Sequence, residues 1–382
     1  MNQTHSFRKL KIVGMFLIVM QAICFGQNST MNPSGFKLHR GVNLSHWLSQ
    51  NFGWSPKETF ITEQDIKFID SIGYDHVRIP IDEAELWDTT EKPIDESFAY
   101  LTGCLNWCAK YNLRAVVDLH IVRSHYFNAV NEGGTNSLWT DTNAQNTFLR
   151  LWSDLSARLK HYPVSMVAYE LMNEPVAENP EDWNKLIEKA VKVLRAMEPQ
   201  RVLLIGSNKW QTPGTFPQLK IPASDPNIIL SLHTYSPIFF IHHLADWVPS
   251  KVYKGSVHYP GQVVSDADYD TFAKKDSAQV QVMKNSREIW NKQKLAEEIL
   301  PAIKRAKELG LQLYCGEFGC LPHVNRNERL SYYSDLISVF DENHIAYCNW
   351  EYKGDFGIYV FDFEKKVSYA PDADLIRILT KK

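Results

Sequence analysis

The chain has 382 residues, of which 44% are apolar and 22% are charged, and its formal net charge is −3 at pH 7. The apolar fraction is ample for a large core, and because no basic patch stands out, nucleic acid is not an expected partner. The length would allow two or more domains of about 150 residues, but α/β barrels routinely run longer as one unit.

Residues 1–26 have the layout of a secretory signal peptide. A basic stretch at 8–11 precedes an apolar run at 12–20, and Cys24 and Gly26 are small residues that suit a cleavage site before Gln27. The apolar run is short for a membrane anchor, which needs about 20 residues. We therefore expect cleavage, a secreted or periplasmic location and no membrane contact afterwards. Loss of three basic residues would take the net charge from −3 to −6.

Eight short β-branched or apolar runs are predicted as strands, at 38–43, 76–81, 114–119, 166–172, 201–205, 228–232, 312–316 and 346–350. Amphipathic stretches predicted as helices lie between or after them, at 62–72, 96–111, 143–161, 181–197, 294–309, 327–343 and 372–379. Alternating strands and helices indicate βαβ units and a parallel sheet. Eight such units favour a closed (β/α)8 barrel, and in the absence of a linker residues 27–382 are expected to form one domain.

A long segment at 236–290 interrupts this alternation after the sixth strand. It is rich in aromatic residues and histidine, which is not typical of disorder, and long loops in compact domains are usually functional. We predict that it forms a wall over the mouth of the barrel. Its polar part, 265–287, is predicted to be either mobile or a surface helix.

Active sites of such barrels lie at the carboxyl ends of the strands. Ionisable, amide or aromatic side chains occur at or near seven of these predicted ends: Asn43, Arg78, Asp118, His120, Asn173, Glu174, His233, Tyr235, Glu317, Trp350 and Glu351. One polar strand end would carry little information. Because polar side chains recur at seven strand ends, the sequence predicts a single polar site at this end of the barrel.

Glu174 and Glu317, at the ends of the fourth and seventh predicted strands, suggest paired-carboxylate chemistry. A carboxyl with a raised pKa can protonate a glycosidic oxygen, while an ionised partner attacks or stabilises the anomeric carbon. Pro175 ends the strand directly after Glu174, and Gly316 and Gly319 flank Glu317, which allows close approach of the backbone. These two glutamates are the candidate catalytic residues.

Two motifs carry a family resemblance. The run Tyr169-Glu-Leu-Met-Asn-Glu-Pro175, followed downstream by Tyr314-Cys-Gly-Glu-Phe-Gly319, closely resembles glycoside hydrolase family five, the cellulase and mannanase family. The resemblance extends from Gly41 to Trp350 and implies a retaining double displacement. It implies Glu174 as the acid/base and Glu317 as the nucleophile.

The resemblance also implies roles for neighbouring side chains. Asn173 would hold the 2-hydroxyl of the substrate, Tyr235 would orient the nucleophile, and Arg78 would favour the ionised form of Glu317. His120 and His233 would line the subsite at the cleaved bond. Trp350 would form a stacking floor beneath that sugar, since its flat apolar face suits a pyranose ring.

The sequence does not assign a single role to several other polar and aromatic residues. Asn43 suits either backbone support or substrate contact, and Glu170 is expected to be buried and paired. Glu351 follows Trp350 on the opposite face of its predicted strand, so it is a poor catalytic candidate and is expected at most to make a contact at the rim of the site. Several loop aromatics could be sugar platforms or could pack the loops together: Trp47, Trp54, Trp87, Tyr126, Trp139, Trp210 and Trp247. No third ligand accompanies His120 and His125, so a metal site is not expected. Hydrolysis needs no cofactor and the sequence has no nucleotide-binding motif, so no cofactor is expected either.

The leading hypothesis is hydrolysis of a β-linked polysaccharide or oligosaccharide, with a β-1,4-glucan as the favoured substrate and endoglucanase-like action. Mannan cleavage and exo-acting glycosidase activity on the same site stay open. A carbohydrate-binding barrel without catalysis would have lost a catalytic group, and none of the expected positions is lost. A monomer is favoured, although the sequence does not determine the oligomeric state.

Overall fold

The computed structural model of the chain describes residues 32–51, 53, 56–129, 134–222, 224–273 and 277–381. The predicted signal peptide lies outside these residues. The eight barrel strands are β1 Arg40–Asn43, β2 His76–Asp82, β3 Arg114–Ile121, β4 Val167–Glu170, β5 Leu203–Gly206, β6 Ile228–Thr234, β7 Gln312–Phe318 and β8 Ala346–Asn349. Each coincides with a predicted strand to within a few residues, so the prediction of a (β/α)8 barrel is confirmed.

The barrel is closed and all its strands are parallel. β1 pairs on one side with β8, where Arg40 lies opposite Tyr347, and on the other side with β2, where Gly41 lies opposite His76. Around the barrel the neighbours run in the order β1-β8-β7-β6-β5-β4-β3-β2. All carboxyl ends of the strands therefore meet at one face.

In the described part of the chain, seven helices cover the outside of the barrel: α1 Glu63–Ser71, α2 Asp95–Lys110, α3 Thr142–Leu159, α4 Pro180–Met197, α5 Lys292–Leu309, α6 Arg326–Glu342 and α7 Ala373–Thr380. Five of them, α3 to α7, begin after an Asp or Asn whose side chain accepts a backbone N–H of the first turn: Asp141, Asn179, Asn291, Asn325 and Asp372. Such caps satisfy backbone donors that have no partner within the helix.

The structure contains several smaller elements that the sequence did not predict. Instead of an α-helix, the 3-10 helix Pro213–Gln218 follows β5, and an antiparallel hairpin, Tyr359–Asp362 with Val367–Pro371, lies between β8 and α7. In the described residues outside the segment 236–290, the remaining elements are the short helices Lys57–Phe60 and Glu83–Leu86 and the 3-10 helix Ser137–Trp139. Residues Asn208–Gln211, directly after β5, form a single turn in which Lys209, Trp210 and Gln211 have positive φ of 54–60°.

The segment 236–290 contains its own small elements. They are the helices Ile238–Ile241, Asp266–Ala273 and Ser277–Val282, the 3-10 helix Pro249–Val252, and the paired two-residue strands Gly261–Gln262 and Ile289–Trp290. Tyr259 donates a hydrogen bond from its hydroxyl to Asp335 on α6, at 2.8 Å, and its ring packs edge-on against Tyr332. The segment is thus anchored to the outer helix α6. Two helices occupy much of the stretch predicted as mobile or helical.

The core has two layers. Side chains between the strands and the outer helices form the larger apolar cluster, and a smaller cluster that includes Val116, Ala168, Ile229 and Tyr314 fills the inside of the barrel. In the described part of the chain no helix combines the length and hydropathy needed to cross a bilayer. The five described cysteines are buried and free of disulfide bonds.

Candidate active site

A β-bulge turns Glu317 towards the inside of the barrel. Tyr314 on β7 lies in the interior cluster, so strict alternation would also turn Gly316 inward and direct Glu317 outward. The pairing with β6 shifts register here, because Leu232 lies opposite Cys315 but His233 lies opposite Glu317. The extra residue, Gly316, restores the inward direction of Glu317. A Cβ at Gly316 would come within 3.1 Å of the His233 ring.

Glu174 reaches the same space from a loop rather than from a strand. β4 ends at Glu170, two residues earlier than predicted, so Asn173 and Glu174 lie beyond the regular alternation. Oε1 of Glu174 lies 2.9 Å from Nδ1 of His233. One carboxylate oxygen of Glu174, one of Glu317 and a ring nitrogen of His233 all lie within 4.8 Å of one another. The two carboxyl groups therefore face one another across a gap of a few ångströms.

Arg78 lies at the bottom of this site and links its polar side chains to one another. Its guanidinium is fully buried, and each of its nitrogens donates to side chains inside the barrel. The acceptors and distances are Glu170 at 2.7 Å, Glu317 at 2.7 Å, Asn43 at 2.9 Å, Asn173 at 2.8 Å and Asp118 at 2.9 Å. One cation thus holds three carboxylates and two amides, which a buried guanidinium with five donors can do.

Asn43 supports the backbone beside both the nucleophile candidate and the tryptophan. Its amide nitrogen donates to the carbonyl of Gly316 at 2.9 Å and to that of Asn349 at 3.2 Å, and its oxygen accepts from Arg78. The side chain is fully buried. Of the two interpretations that the sequence left open, the structure favours backbone support.

The hydrogen bonds fix the tautomer of His120. Arg78 can only donate, so the oxygen of Asn173 faces it and the Asn173 amide nitrogen points to Nε2 of His120, at 3.3 Å. Nε2 is therefore the acceptor, and Nδ1 carries the proton and donates to Asp118 at 2.7 Å. Burial lowers the pKa of His120 to about 4, so its ring is neutral near pH 7.

The two glutamates have different partners. Glu317 accepts from Arg78 through one oxygen and from the Tyr235 hydroxyl, at 3.0 Å, through the other. Burial raises the pKa of Glu317, and the adjacent Arg78 guanidinium acts in the opposite direction. Burial and the nearby Glu317 carboxylate raise the pKa of Glu174 well above its usual range. Burial also holds His233 well below its usual pKa, so the partner of Glu174 is a neutral ring.

Trp350 lies directly after β8 beside His120. The two rings are nearly parallel, at 11°, with centroids 5.5 Å apart, and 8% of Trp350 is exposed. A Cβ at Gly319 would meet the carbonyl oxygen of Trp350 at 2.6 Å and the ring of Phe356 at 2.8 Å. Glycine at this position therefore lets the end of β7 pass close beneath the loop that carries Trp350.

All nine residues proposed from the sequence lie in one contact network at the carboxyl ends of the strands: Asn43, Arg78, His120, Asn173, Glu174, His233, Tyr235, Glu317 and Trp350. Glu170 is buried and paired, as expected. Two further partners of Glu170 were missed, namely Gln211, whose amide donates at 3.0 Å, and Ser231, whose hydroxyl donates at 2.9 Å. Both are uncharged, and no motif distinguishes them.

The expectation that Glu351 contacts the rim is wrong. Glu351 is fully buried, and Nε2 of His46 lies 3.0 Å from its carboxylate. β8 ends at Asn349, so the alternation on which the expectation rested no longer applies. Burial disfavours a charged imidazole, but the carboxylates of Glu351 and Asp355 together raise the pKa of His46 to about 9. The ring of His46 meets that of Trp350 edge-on at 6.3 Å.

Two groups of three described side chains bring possible metal-ligand atoms within 4.8 Å of one another. One is Glu174, His233 and Glu317, and the other is His46, Glu351 and Asp355. In both groups a histidine nitrogen already lies at hydrogen-bonding distance from a carboxylate oxygen.

The loop aromatics divide into packing residues and one exposed ring. Trp47 and Trp87 are buried in the core, and Trp139 and Trp210 are partly buried. Trp54 lies outside the described residues. Trp247, in the segment 236–290, is 45% exposed.

Comparisons with known proteins agree with this geometry. The family model described as cellulase (glycosyl hydrolase family 5) matches residues 27–355. Endoglucanase C of Acetivibrio thermocellus is 34% identical over 348 residues, covering 90% of this chain and 98% of that protein. Cellodextrinase A of Ruminococcus flavefaciens is 27% identical, covering 80% of this chain and 83% of that protein. Endoglucanase Cel5A of Thermotoga maritima shares the fold with a TM-score of 0.70 and 24% identity, covering 92% of this chain and 99% of that one. The chain therefore belongs to glycosyl hydrolase family 5 and is a glycoside hydrolase.

Proposed function

We propose that the protein is a secreted endo-β-1,4-glucanase that cleaves its substrate with retention of configuration, using Glu317 as nucleophile and Glu174 as acid/base. The observation that carries this proposal is that one carboxylate oxygen of Glu174 and one of Glu317, both buried, lie within 4.8 Å of each other. Retaining glycosidases place these groups about 5–5.5 Å apart, whereas inverting ones leave about 6.5–9.5 Å for a water molecule. The names of the endoglucanase relatives support a β-glucan as the substrate.

In the first step, an oxygen of Glu317 attacks the anomeric carbon and forms a glycosyl ester as the bond to the leaving sugar breaks. Glu174 gives its proton to the departing oxygen at the same time. In the second step, Glu174 takes a proton from water, whose oxygen attacks the anomeric carbon and releases Glu317. The raised pKa of Glu174 keeps a proton available for the first step.

The surrounding side chains assist each step. Arg78 and Tyr235 each hold one oxygen of Glu317, so the carboxylate is fixed in position before attack. The Asn173 amide is held between Arg78 and His120, where it would bind the 2-hydroxyl of the sugar. Trp350 and His120 would contact the sugar at the cleaved bond, with the tryptophan contributing its apolar face.

Azide rescue tests the two roles. We expect Glu317→Ala to lose turnover and to form an α-glycosyl azide when azide is supplied, because the anion replaces the missing nucleophile. We expect Glu174→Ala to retain activity on an aryl cellobioside with a good leaving group and to form a β-glycosyl azide. Glu364→Gln, at an exposed position, is the matched control and should behave as the parent does. Parental activity of Glu317→Ala would contradict the assignment.

The substrate and the mode of action need separate measurements. A panel of β-glucans, mannans, xylans and aryl glycosides should show the highest kcat/KM on β-1,4-glucan, with viscosity falling faster than reducing ends accumulate. Release of a single short product from chain ends would favour an exo-acting enzyme instead. For export, the mass of protein recovered outside the cytoplasm should correspond to a chain that begins at Gln27.

A further inference from the structure

Glu174 lies on a loop whose backbone is held by side chains from other parts of the barrel. Residues 171–179, between the end of β4 and the first residue of α4, form neither helix nor strand. Val176 and Ala177, which follow Glu174 closely, are nevertheless buried. Buried backbone N–H and C=O groups need hydrogen-bond partners, and here these cannot come from a regular element. The position of Glu174 therefore depends on the partners of its loop.

The turn Asn208–Gln211 holds the loop from one side. The Asn208 side chain accepts from the backbone N–H of Ala177 and donates to the carbonyl of Ala177, both at 2.8 Å. The backbone N–H of Trp210 donates to the carbonyl of Pro175 at 3.3 Å. The turn directly follows β5, which pairs with β4. These contacts therefore come from the β5 side of the loop.

His125 holds the same loop from the β3 side. β3 pairs with the other edge of β4, and His125 lies four residues after Ile121, where β3 ends. Nε2 of His125 accepts from the backbone N–H of Val176 at 3.2 Å. Because Nε2 is the acceptor, Nδ1 carries the proton of the neutral ring. Burial lowers the pKa of His125 to about 3, so the ring is neutral near pH 7 and keeps this acceptor.

The His125 ring is itself fixed in place. The backbone N–H of His125 donates to the carbonyl of Val122 at 2.8 Å, and its carbonyl accepts from the N–H of Val122 at 3.2 Å. The imidazole meets the Trp139 ring edge-on, with centroids 5.2 Å apart. Only 1% of His125 is exposed, so it offers a substrate almost no surface. Its connection to the active site runs through the backbone of Val176, two residues after Glu174.

We propose that His125 is a positioning residue for the acid/base glutamate, and that through Val176 it holds Glu174 within reach of the glycosidic oxygen. This inference rests on the proposed function, because it takes Glu174 as the proton donor. A general acid must lie within hydrogen-bonding distance of the atom that it protonates, and a displacement of about 1 Å can cost a factor of about 100 in rate. Without the His125 acceptor, the buried N–H of Val176 has no partner and this side of the loop is released. Protonation of the leaving group should then weaken, whereas attack by Glu317, on another strand, should not.

A series of aryl β-cellobiosides tests the proposal. Dinitrophenolate leaves without a proton, whereas phenolate is a poor leaving group that needs one. The quantity measured is kcat/KM, which reports formation of the glycosyl-enzyme, expressed as the ratio of the phenyl to the dinitrophenyl substrate. His125→Leu should lower this ratio about tenfold, which is part of the roughly 100- to 10,000-fold that general acid catalysis contributes. A smaller folded fraction lowers both values by the same factor and leaves the ratio unchanged.

His125→Gln and His125→Asn form a matched pair. Glutamine can place its amide oxygen where Nε2 lies and should restore the parental ratio, whereas asparagine reaches only the position of Nδ1 and should behave as leucine does. His161→Leu, at an exposed histidine after α3, is the control for loss of an imidazole elsewhere and should keep the parental ratio. Glu174→Ala is the reference for complete loss of the acid, and its ratio should fall further than that of any His125 variant.

A parental ratio for His125→Leu would overturn the proposal. If the leucine variant does not fold, the glutamine and asparagine variants decide, because equal ratios for the two would contradict a role for the acceptor at Nε2. A parental ratio for Glu174→Ala would refute the acid role in the proposed function, and the positioning role with it. A lowered ratio for Glu174→Ala beside a parental ratio for His125→Leu would overturn the positioning role alone.

Discussion

Replacing Arg78 with methionine would remove the cation that serves three buried carboxyl groups. The guanidinium donates to Asp118, Glu170 and Glu317 at 2.7–2.9 Å, and neither Arg78 nor the first two carboxylates is exposed. Removing one partner of a buried ion pair costs about 3–5 kcal/mol, because the remaining charge stays desolvated. Against a total stability of about 5–15 kcal/mol, we expect Arg78→Met to lose about a fifth or more of the free energy of unfolding near pH 7.

The sign of the pH dependence follows from the same contacts. Burial raises the pKa of Glu317, and the Arg78 guanidinium opposes this rise. Loss of Arg78 should therefore raise the pKa of Glu317 further. A carboxyl whose pKa is higher in the folded than in the unfolded protein favours the folded state below its unfolded pKa. That advantage is lost as the pH rises through the folded pKa. The stability deficit of Arg78→Met should therefore shrink on acidification, and the acid limb of kcat/KM should move to higher pH.

Urea unfolding and pH–rate profiles of the parent, Arg78→Met and Arg78→Lys measure both effects. Lysine keeps the charge but not the planar set of five donors, so we expect an intermediate loss of stability and a smaller movement of the acid limb. The reasoning would be refuted by an Arg78→Met protein within about 1 kcal/mol of the parent at neutral pH. An unmoved acid limb would refute the electrostatic part alone.

Two further predictions concern side chains around the site. Asn43→Ala should lower the free energy of unfolding by about 1–3 kcal/mol, because it leaves buried backbone carbonyls without their donor. Because Asn43 holds the backbone rather than the substrate, the same change should reduce kcat more than it raises KM. A change confined to KM would instead indicate that Asn43 contacts the substrate. The pKa of His46 is about 9, above the unfolded value, so its pair with Glu351 should stabilise the fold fully below pH 6.5 and lose that contribution as the pH rises through about 9. The stability difference between the parent and His46→Gln, measured by urea unfolding at several pH values, should fall along that range, and a constant difference would contradict the charged pair.

The barrel was predictable because its signals are local. Eight β-branched or apolar runs alternate with amphipathic stretches, and all seven predicted helical stretches fold as helices within a few residues of the predicted bounds. The candidate site was predictable for a related reason, since the carboxyl ends of parallel strands meet at one face. Side chains distant in the sequence, such as Arg78 and Glu317, could thus be assigned to one place.

What the sequence could not predict depends on tertiary contacts. Glu317 faces the site only because a bulge at Gly316 breaks the alternation of β7, and such a register shift has no local signature here. Gln211 reaches Glu170 from a backbone with φ of 54° after β5, where no regular pattern exists. Glu351 is buried because His46, some 300 residues earlier in the chain, lies beside it. Each of these depends on a partner that is remote in sequence.

The proposed difference in role between the two glutamates also depends on their surroundings, since the side chains themselves are identical. Four carboxyl groups, those of Asp118, Glu170, Glu174 and Glu317, lie in the barrel interior with one guanidinium, Arg78, and the nearby histidines are held neutral by burial. One positive charge cannot balance four ionised carboxylates in a buried site, so the interior retains protons. Glu317 is bonded directly to the guanidinium, whereas the hydrogen-bond partner of Glu174 is a neutral imidazole. Of the two glutamates, Glu174 is therefore the one expected to hold the proton that the proposed first step requires, and Glu317 is the one expected to attack as a carboxylate.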